Sequence, residues 1–177
     1  MTKYIALLRA INVSGQKKIP MAELREILDK SGLQNVQTYI QSGNIIFNSS
    51  LTDKKNLELK IHEAIKSHFR FDVPVLVLKP QELKQFFDNC PFPQEKKENS
   101  YFMMLYTWAN KTLVDEISIV SYPNEAFFIT DSCVYFYCSV SYGKAKMGNN
   151  FFERKLKVTA TARNYKTMVK LLSLSAE

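Results

Sequence analysis

The stretch VQTYIQSGNIIFN, residues 36–48, decides the fold because two strand-like segments flank a turn-forming dipeptide. Val36 to Gln41 and Ile45 to Asn48 are rich in the β-branched and aromatic residues that favour strands. Gly43-Asn44 lies between them and tolerates the positive φ angles that tight hairpin turns require. The stretch therefore predicts a β-hairpin.

The residues before the hairpin predict one strand and one helix. Lys3 to Leu8 is apolar and partly β-branched, as is typical of a strand. Pro20 suits the first turn of a helix, and apolar residues recur at helical spacing from Met21 to Leu28. Gly32 followed by Leu33 indicates that this helix ends in a Schellman motif.

The residues after the hairpin predict a second helix and a fourth strand. Thr52 or Asp53 can cap the helix. Val73 to Leu78 predicts a strand, which Pro74 restricts to a sheet edge or to the first residues of a strand. The resulting order, β-α-β-β-α-β over Lys3 to Lys79, is the split βαβ arrangement of ferredoxin-like domains.

The same order of elements recurs in the second half of the chain. Residues 80–100 predict a short helix, Gln81 to Asp88, and then a linker rich in Pro, Lys and Glu. The elements predicted after the linker are strand Tyr101 to Thr107, helix Lys111 to Ile119, strands Ala126 to Thr130 and Cys133 to Ser139, helix Asn150 to Leu156, a short closing strand Val158 to Ala162, and a terminal helix Asn164 to Leu174. We therefore expect an α+β chain with two ferredoxin-like subdomains, residues 1–79 and 101–177, each with an antiparallel sheet, plus the carboxy-terminal helix.

Composition limits the class of protein. A length of 177 residues with 46% apolar content fits one domain or two small subdomains that share a core. No apolar run approaches the ~18 residues of a membrane span. Three cysteines without a CxxC pair fit the reduced thiols of the cytoplasm, which is the expected location.

The spacing of histidines and cysteines does not predict a metal site, and we expect neither a metal nor a cofactor. His62 and His68 are six residues apart on one helix and so lie on different faces. His62 is expected to be solvated, and His68 to pack on the apolar face. Cys133 and Cys138 have opposite strand parity and so point to opposite faces of their sheet.

Positive charge is concentrated at the carboxy-terminal end. Residues 144–177 hold eight Lys or Arg against two Glu, which accounts for most of the net charge of +7. Such localisation favours an anionic partner. The expected partners are nucleic acid or a phosphate-bearing small molecule, and a membrane is not expected.

The first loop, residues 9–18, exceeds the usual length of a connection between strand and helix. It lacks the Walker A spacing, since Gly15 is not followed by Lys and Ser or Thr. It does place polar and basic residues near a helix amino terminus, where backbone N–H groups favour an anion. The alternative is a solvated loop whose glycine permits a turn. The candidate ligands are Arg9, Asn12, Gly15, Lys17 and Lys18.

The carboxy-terminal region supplies the remaining candidates. Tyr142 to Asn150 is a second loop rich in glycine and lysine that leads into a helix, although surface loops of this composition are common. The alternation of Val158 to Ala162 predicts an outward stripe that ends at an arginine, whose fork of donors suits an oxyanion. The candidate anion ligands here are Lys144, Lys146, Thr161, Arg163, Asn164 and Lys166.

Two interpretations of residues 152–172 differ in their partner. In the favoured one, Tyr165, Met168, Val169 and Leu172 anchor the terminal helix and its basic edge stays exposed. In the alternative, Phe152 to Leu172 is a helix-turn-helix that reads DNA. The β-branched alternation before residue 162 argues against the alternative.

Three blocks together resemble an uncharacterised bacterial family, domain-of-unknown-function family 1697. They are ALLRAINVSGQKKIPMAELREIL at residues 6–28, TYIQSGNIIF at 38–47 and NNFFERKLKVTATARNYKTMVKLL at 149–172. The resemblance implies a cytosolic bacterial α+β protein and supplies no activity, substrate or cofactor. Ala10 stands where the family usually has Gly, and Tyr165 where it usually has Trp.

Three hypotheses for function follow. The first is a binding protein, non-enzymatic or weakly catalytic, whose basic carboxy-terminal region and first loop engage phosphate groups of nucleic acid or a nucleotide-like ligand. The second is an enzyme that acts on an anionic small molecule held by Arg9, Lys17, Lys18 and Arg163. The third is a protein-interaction module that uses an exposed sheet edge.

Overall fold

The computed structural model describes residues 1–176, which contain two four-stranded antiparallel sheets. Elements of the first half are β1 Thr2–Leu8, α1 Met21–Lys30, β2 Gln34–Tyr39, β3 Asn44–Ser49, α2 Lys54–Phe69, β4 Val75–Leu78 and α3 Pro80–Asp88. Those of the second half are α4 Gln94–Lys97, β5 Ser100–Leu105, α5 Lys111–Ile117, β6 Glu125–Ile129, β7 Cys133–Cys138, α6 Asn149–Leu156, β8 Ala160–Asn164 and α7 Tyr165–Ala176.

The chain divides into two compact units. The first comprises Met1–Leu83 and the segment from Leu171 onward, and the second comprises Lys84–Lys170. The strand order is β2-β3-β1-β4 in one sheet and β6-β7-β5-β8 in the other, with all neighbours antiparallel. Both sheets therefore have the ferredoxin-like topology, which confirms the predicted fold class.

Helix α1 ends as its sequence predicts. The Leu33 N–H donates to the Leu28 carbonyl at 3.2 Å, and the Gly32 N–H donates to the Asp29 carbonyl at 2.9 Å. Gly32 has a φ of +91°, the left-handed conformation that glycine adopts without steric cost. These two bonds are the Schellman pair and satisfy carbonyls that the helix leaves open.

The predicted hairpin is present, with one correction to its turn. Residues 40–43 connect β2 to β3, with positive φ at Ile40 and Gly43. Asn44 is not in the turn, because it is the first residue of β3. Its side-chain amide is buried and donates to the Tyr39 carbonyl and the Ser42 hydroxyl, both at 2.9 Å. The asparagine thus holds the turn closed from within the strand.

Strand β4 lies at the edge of the first sheet, as Pro74 predicts, but it is shorter than expected. It begins at Val75 because Pro74 has no N–H to donate. The Pro74 carbonyl instead accepts the Arg9 N–H at 3.1 Å, one residue beyond the β1–β4 ladder.

Each unit has an apolar core between its sheet and its helices. In the first unit, α1 and α2 contribute Leu24, Leu28, Leu57, Ile61 and Ile65 to the cluster that contains Tyr4 and Phe47 of the sheet. In the second, Ile117 of α5 joins Phe152 and Leu156 of α6 over Met103, Val134 and Phe136. Central strands are buried on both faces, since Tyr4 to Leu8 have no exposed surface.

The two histidines differ from expectation. His62 is not simply solvated, because its Nε2 lies 2.6 Å from Asp72 Oδ1, and this bond lowers the pKa of the Asp72 carboxyl below its ordinary value. His68 is exposed rather than packed, and its Nε2 lies 3.2 Å from Glu23 Oε2. Each histidine therefore joins α2 to a neighbouring segment through a carboxylate.

The carboxy-terminal segment follows the favoured interpretation of a closing strand and a terminal helix, with corrections to the bounds of the strand and to the apolar face of the helix. Strand β8 runs from Ala160 to Asn164 and pairs with β5, which excludes a helix-turn-helix over residues 152–172. On α7, Met168 and Leu171 are buried while Val169 is 43% exposed, so the apolar face differs from the predicted one. No helix among the described residues has the length and apolar character needed to cross a membrane.

Candidate functional site

The first loop has an unusual backbone. Five of its residues have positive φ, namely Ala10, Asn12, Ser14, Gly15 and Lys17. The Gln16 N–H donates to the Val13 carbonyl at 2.9 Å, which closes a tight turn over Ser14-Gly15. Positive φ at both central residues is characteristic of a type I′ turn. Gly15 therefore permits a turn, as in the alternative considered for this loop.

Asn12 braces this loop through both atoms of its side-chain amide. Its Oδ1 accepts the Ile19 N–H at 2.8 Å, and its Nδ2 donates to the carbonyls of Ile19 at 3.1 Å and Gln41 at 2.8 Å. The two bonds to Ile19 hold the end of the loop, and the bond to Gln41 connects the loop to the β2–β3 turn. The structure therefore gives Asn12 a positioning role in the loop.

The cations of the first loop lie in different surroundings. Lys17 is partly buried, and its ammonium donates to the Asp72 carbonyl at 2.6 Å. Lys18 is exposed, and Arg9 is partly exposed at the end of β1. Lys18 is thus the loop cation with the greatest access to an external anion.

The second basic loop already binds a carboxylate of the protein itself. Glu125, at the start of β6, accepts the N–H of Lys146 at 2.6 Å through Oε1 and the N–H of Met147 at 2.9 Å through Oε2. Two backbone donors that a phosphate would use are therefore occupied. The side chains of Lys144 and Lys146 remain exposed on the outside of this loop.

Arg163 and Thr161 do not form the expected outward stripe. Both lie within β8 and are buried, at 6% and 2% exposure respectively. Arg163 Nη1 donates to Thr161 Oγ1 at 2.8 Å and to the Ala162 carbonyl at 2.9 Å. Burial lowers the pKa of Arg163 to about 10, opposed in part by Tyr106. The alternating pattern predicts the strand correctly, but the exposure expected for its arginine is wrong.

Asn164 and Lys166 follow the buried arginine at the start of α7. Asn164 Oδ1 accepts the Thr167 N–H at 2.9 Å and thereby caps the helix, while Lys166 is exposed. Both residues line a cleft of about 310 Å³ at one end of the second sheet. Tyr101, Tyr142 and Tyr165 lie along the same cleft.

Among the described residues, the exposed cations near the carboxy terminus lack the ion pairs that several lysines elsewhere in the chain form. Lys30, Lys54 and Lys55 each form an ion pair with a glutamate. Among the described residues, no ion pair involves any of seven exposed cations near the carboxy terminus, which are Lys144, Lys146, Arg154, Lys155, Lys157, Lys166 and Lys170. Their charge is therefore not neutralised locally.

The predicted site residues thus fall into three groups. Arg9, Asn12, Gly15, Lys17 and Lys18 are in the first unit. In the second unit Thr161 and Arg163 are buried, and Lys144, Lys146, Asn164 and Lys166 face solvent or the cleft. Sequence reasoning found neither the partners of Glu125 nor the tyrosine-lined cleft, because both depend on contacts between residues far apart in the chain. The part of the chain that the structure describes contains no group of three His, Cys, Asp or Glu side chains placed to hold a metal.

A family model for a protein of unknown function, DUF1697, matches residues 1–135. The chain belongs to this family. The match covers the first two blocks of the sequence resemblance and ends within β7, before the basic carboxy-terminal region.

One solved structure resembles this DUF1697 protein over its whole length. The structure of conserved bacterial protein SP0830 from Streptococcus pneumoniae matches with a TM-score of 0.73 and 25% identity, covering 98% of each chain. No curated protein matches this chain. The shared architecture thus extends through both units, including the region beyond the family match.

Proposed function

We propose that this DUF1697 protein binds nucleic acid through phosphate contacts made by the exposed cations of its carboxy-terminal region. The seven cations without an ion-pair partner among the described residues support this proposal. They are spread over the loop before α6, the end of α6 and the residue after it, and the first half of α7. A distributed set of cations suits a polymer of phosphates better than one small anion.

The burial of Arg163 also favours a surface contact over an enclosed anion site. The enzyme hypothesis requires Arg163 to hold a small anion, yet this side chain is 6% exposed and bonded to Thr161 and Ala162. The exposed lysines and Arg154 are not buried in this way, so their side chains can reach an external phosphate. Lys18 of the first loop is a further candidate contact. The proposal places the protein in the cytoplasm, where its three free cysteines stay reduced.

The test is a fluorescence anisotropy titration with a labelled oligonucleotide at two salt concentrations. Binding should weaken steeply with salt, with a log–log slope of about −0.9 for each duplex phosphate engaged. The triple variant Lys155→Gln, Lys157→Gln, Lys170→Gln should lower both the affinity and the magnitude of this slope.

A matched triple variant shows whether weaker binding results from the loss of local phosphate contacts or from the lower net charge. Lys30→Gln, Lys55→Gln, Lys111→Gln removes the same charge from exposed lysines that already pair with carboxylates. It should bind more tightly than the first triple variant. Equal losses in the two variants, or no binding by the unaltered protein at low salt, would refute the proposal.

A further inference from the structure

A cleft lined by aromatic and polar side chains lies at one end of the second sheet. The beginning of β5, the end of β7 and the junction between β8 and α7 form its walls. Its volume of about 310 Å³ is at the lower end of the roughly 300–1,000 Å³ of small-molecule sites. The cleft is therefore large enough for one nucleotide-sized group.

Two tyrosines form a rigid pair in this cleft. The ring centroids of Tyr101 and Tyr142 are 4.1 Å apart with an interplanar angle of 30°. The Tyr142 hydroxyl accepts the Asn149 N–H at 2.8 Å, and its ring lies edge-on to Phe136 at 6.2 Å. Both tyrosines are partly exposed. The pair is thus ordered before any ligand binds.

Three polar groups along the cleft make no hydrogen bond to any described residue. They are the Tyr101 hydroxyl, the Asn164 side-chain N–H₂ and the Lys166 ammonium. Burial raises the pKa of Tyr101, so its hydroxyl stays a donor at neutral pH. An aliphatic ligand would cover these groups without bonding to them, which costs free energy.

The charges in the cleft locate the ends of a ligand. Lys166 supplies a cation and Glu98 a carboxylate, and Glu98 Oε1 accepts from Gln94 Nε2 at 2.8 Å. A phosphate beside Glu98 would be repelled, whereas one beside Lys166 would be attracted. The chemistry that fits is a flat ring with polar edges in the cleft and its phosphate outside, toward Lys166.

We propose that this cleft binds an unstacked nucleobase, so that the protein prefers single-stranded to duplex nucleic acid. The inference rests on the proposed function and adds the form of the ligand. Bases in a duplex are stacked on one another, and only an unpaired base can enter between protein side chains. Aromatic side chains bind such bases with little regard to sequence.

The experiment compares a labelled single strand of RNA or DNA with a duplex of the same sequence, at one low salt concentration. The unaltered protein should bind the single strand at least about fivefold more tightly. Tyr101→Leu should weaken single-strand binding by roughly tenfold and leave duplex binding unchanged. Tyr122→Leu is the matched control, because Tyr122 is partly exposed outside the cleft and should have no effect.

A second measurement uses the unaltered protein and so does not depend on the folding of a variant. A single strand that carries 5-iodouracil should crosslink under ultraviolet light to peptides containing Tyr101 or Tyr142. Crosslinks confined to other peptides would overturn the cleft as a base site. Equal single-strand and duplex affinities would overturn this inference and leave the proposed function standing, whereas no binding of either would overturn both.

Discussion

Gly43 lies so close to Leu8 that a Cβ built on Gly43 would be 2.6 Å from the Leu8 Cβ. The same backbone approach lets the Leu8 N–H donate to the Gly43 carbonyl at 2.8 Å. The turn between β2 and β3 is thus pressed directly against the end of β1. The turn therefore requires glycine for two reasons, the positive φ and the absence of a Cβ at this contact.

Gly43→Ala should reduce the free energy of unfolding by at least about 3 kcal/mol, from left-handed strain plus a steric clash. Gly15→Ala is the matched control, because Gly15 has a similar φ of +75° and a Cβ added there would meet no atom within 4 Å. The control substitution should reduce the free energy of unfolding by about 1 kcal/mol. Urea denaturation measures both, and equal costs would mean that the approach to Leu8 carries no penalty.

Ala10→Gly should stabilise the protein slightly. Ala10 has a φ of 54°, a left-handed conformation that is unfavourable for alanine. The free energy gained by relieving that strain exceeds the entropic cost of ordering glycine by about 0.5 kcal/mol. This difference corresponds to a melting temperature about 1–2 °C higher. Ala64→Gly, in the interior of α2, should instead lower the melting temperature. A lower melting temperature for Ala10→Gly would contradict the expectation.

Glu125→Gln should destabilise the second unit by about 2 kcal/mol. The substitution replaces one of two carboxylate oxygens with an N–H₂ group that faces a backbone donor, at Lys146 or Met147. Glu116→Gln removes the same charge from an exposed position on α5 and should change stability by less than about 0.5 kcal/mol. Thermal unfolding measures the loss of stability in each variant. Equal losses would mean that the contact of Glu125 with the loop does not stabilise the protein.

Arg163→Lys should lower stability by about 3 kcal/mol, since lysine cannot reproduce the guanidinium bonds to Thr161 and Ala162 in a buried site. The exposed stripe inferred from the sequence would instead leave stability nearly unchanged. Arg154→Lys, at an exposed position on α6, is the control and should be close to neutral. If Arg163→Lys and the unaltered protein have similar melting temperatures, the hydrogen bonds of Arg163 do not contribute to the stability of the fold.

The fold was largely predictable because turn residues and apolar spacing act locally. Gly32 ends α1, Pro74 delays β4, and the hairpin lies where residues 36–48 predict it. The errors arise where a polar residue has a distant partner. Asn44 is buried against its turn, and Arg163 is buried in β8, although both residue types usually indicate exposure.

The candidate site was less predictable for the same reason. Sequence composition identified the basic carboxy-terminal region, and its lysines are exposed. The pairing of Glu125 with a loop about 20 residues later has no local signal. The cleft is likewise assembled from Tyr101, Tyr142 and Lys166, which only the sheet register brings to one end.

The pairing order of the second sheet has a consequence during synthesis. β5 ends at Leu105, but its neighbour β8 ends at Asn164, about 60 residues later. At roughly 5–20 residues per second, a ribosome needs about 3–12 s to cover that interval. Throughout it, one hydrogen-bonding edge of the apolar strand β5 has no native neighbour and is open to pairing with other nascent chains. Slower translation across residues 105–164 therefore lengthens the time for which this edge of β5 lacks its native neighbour.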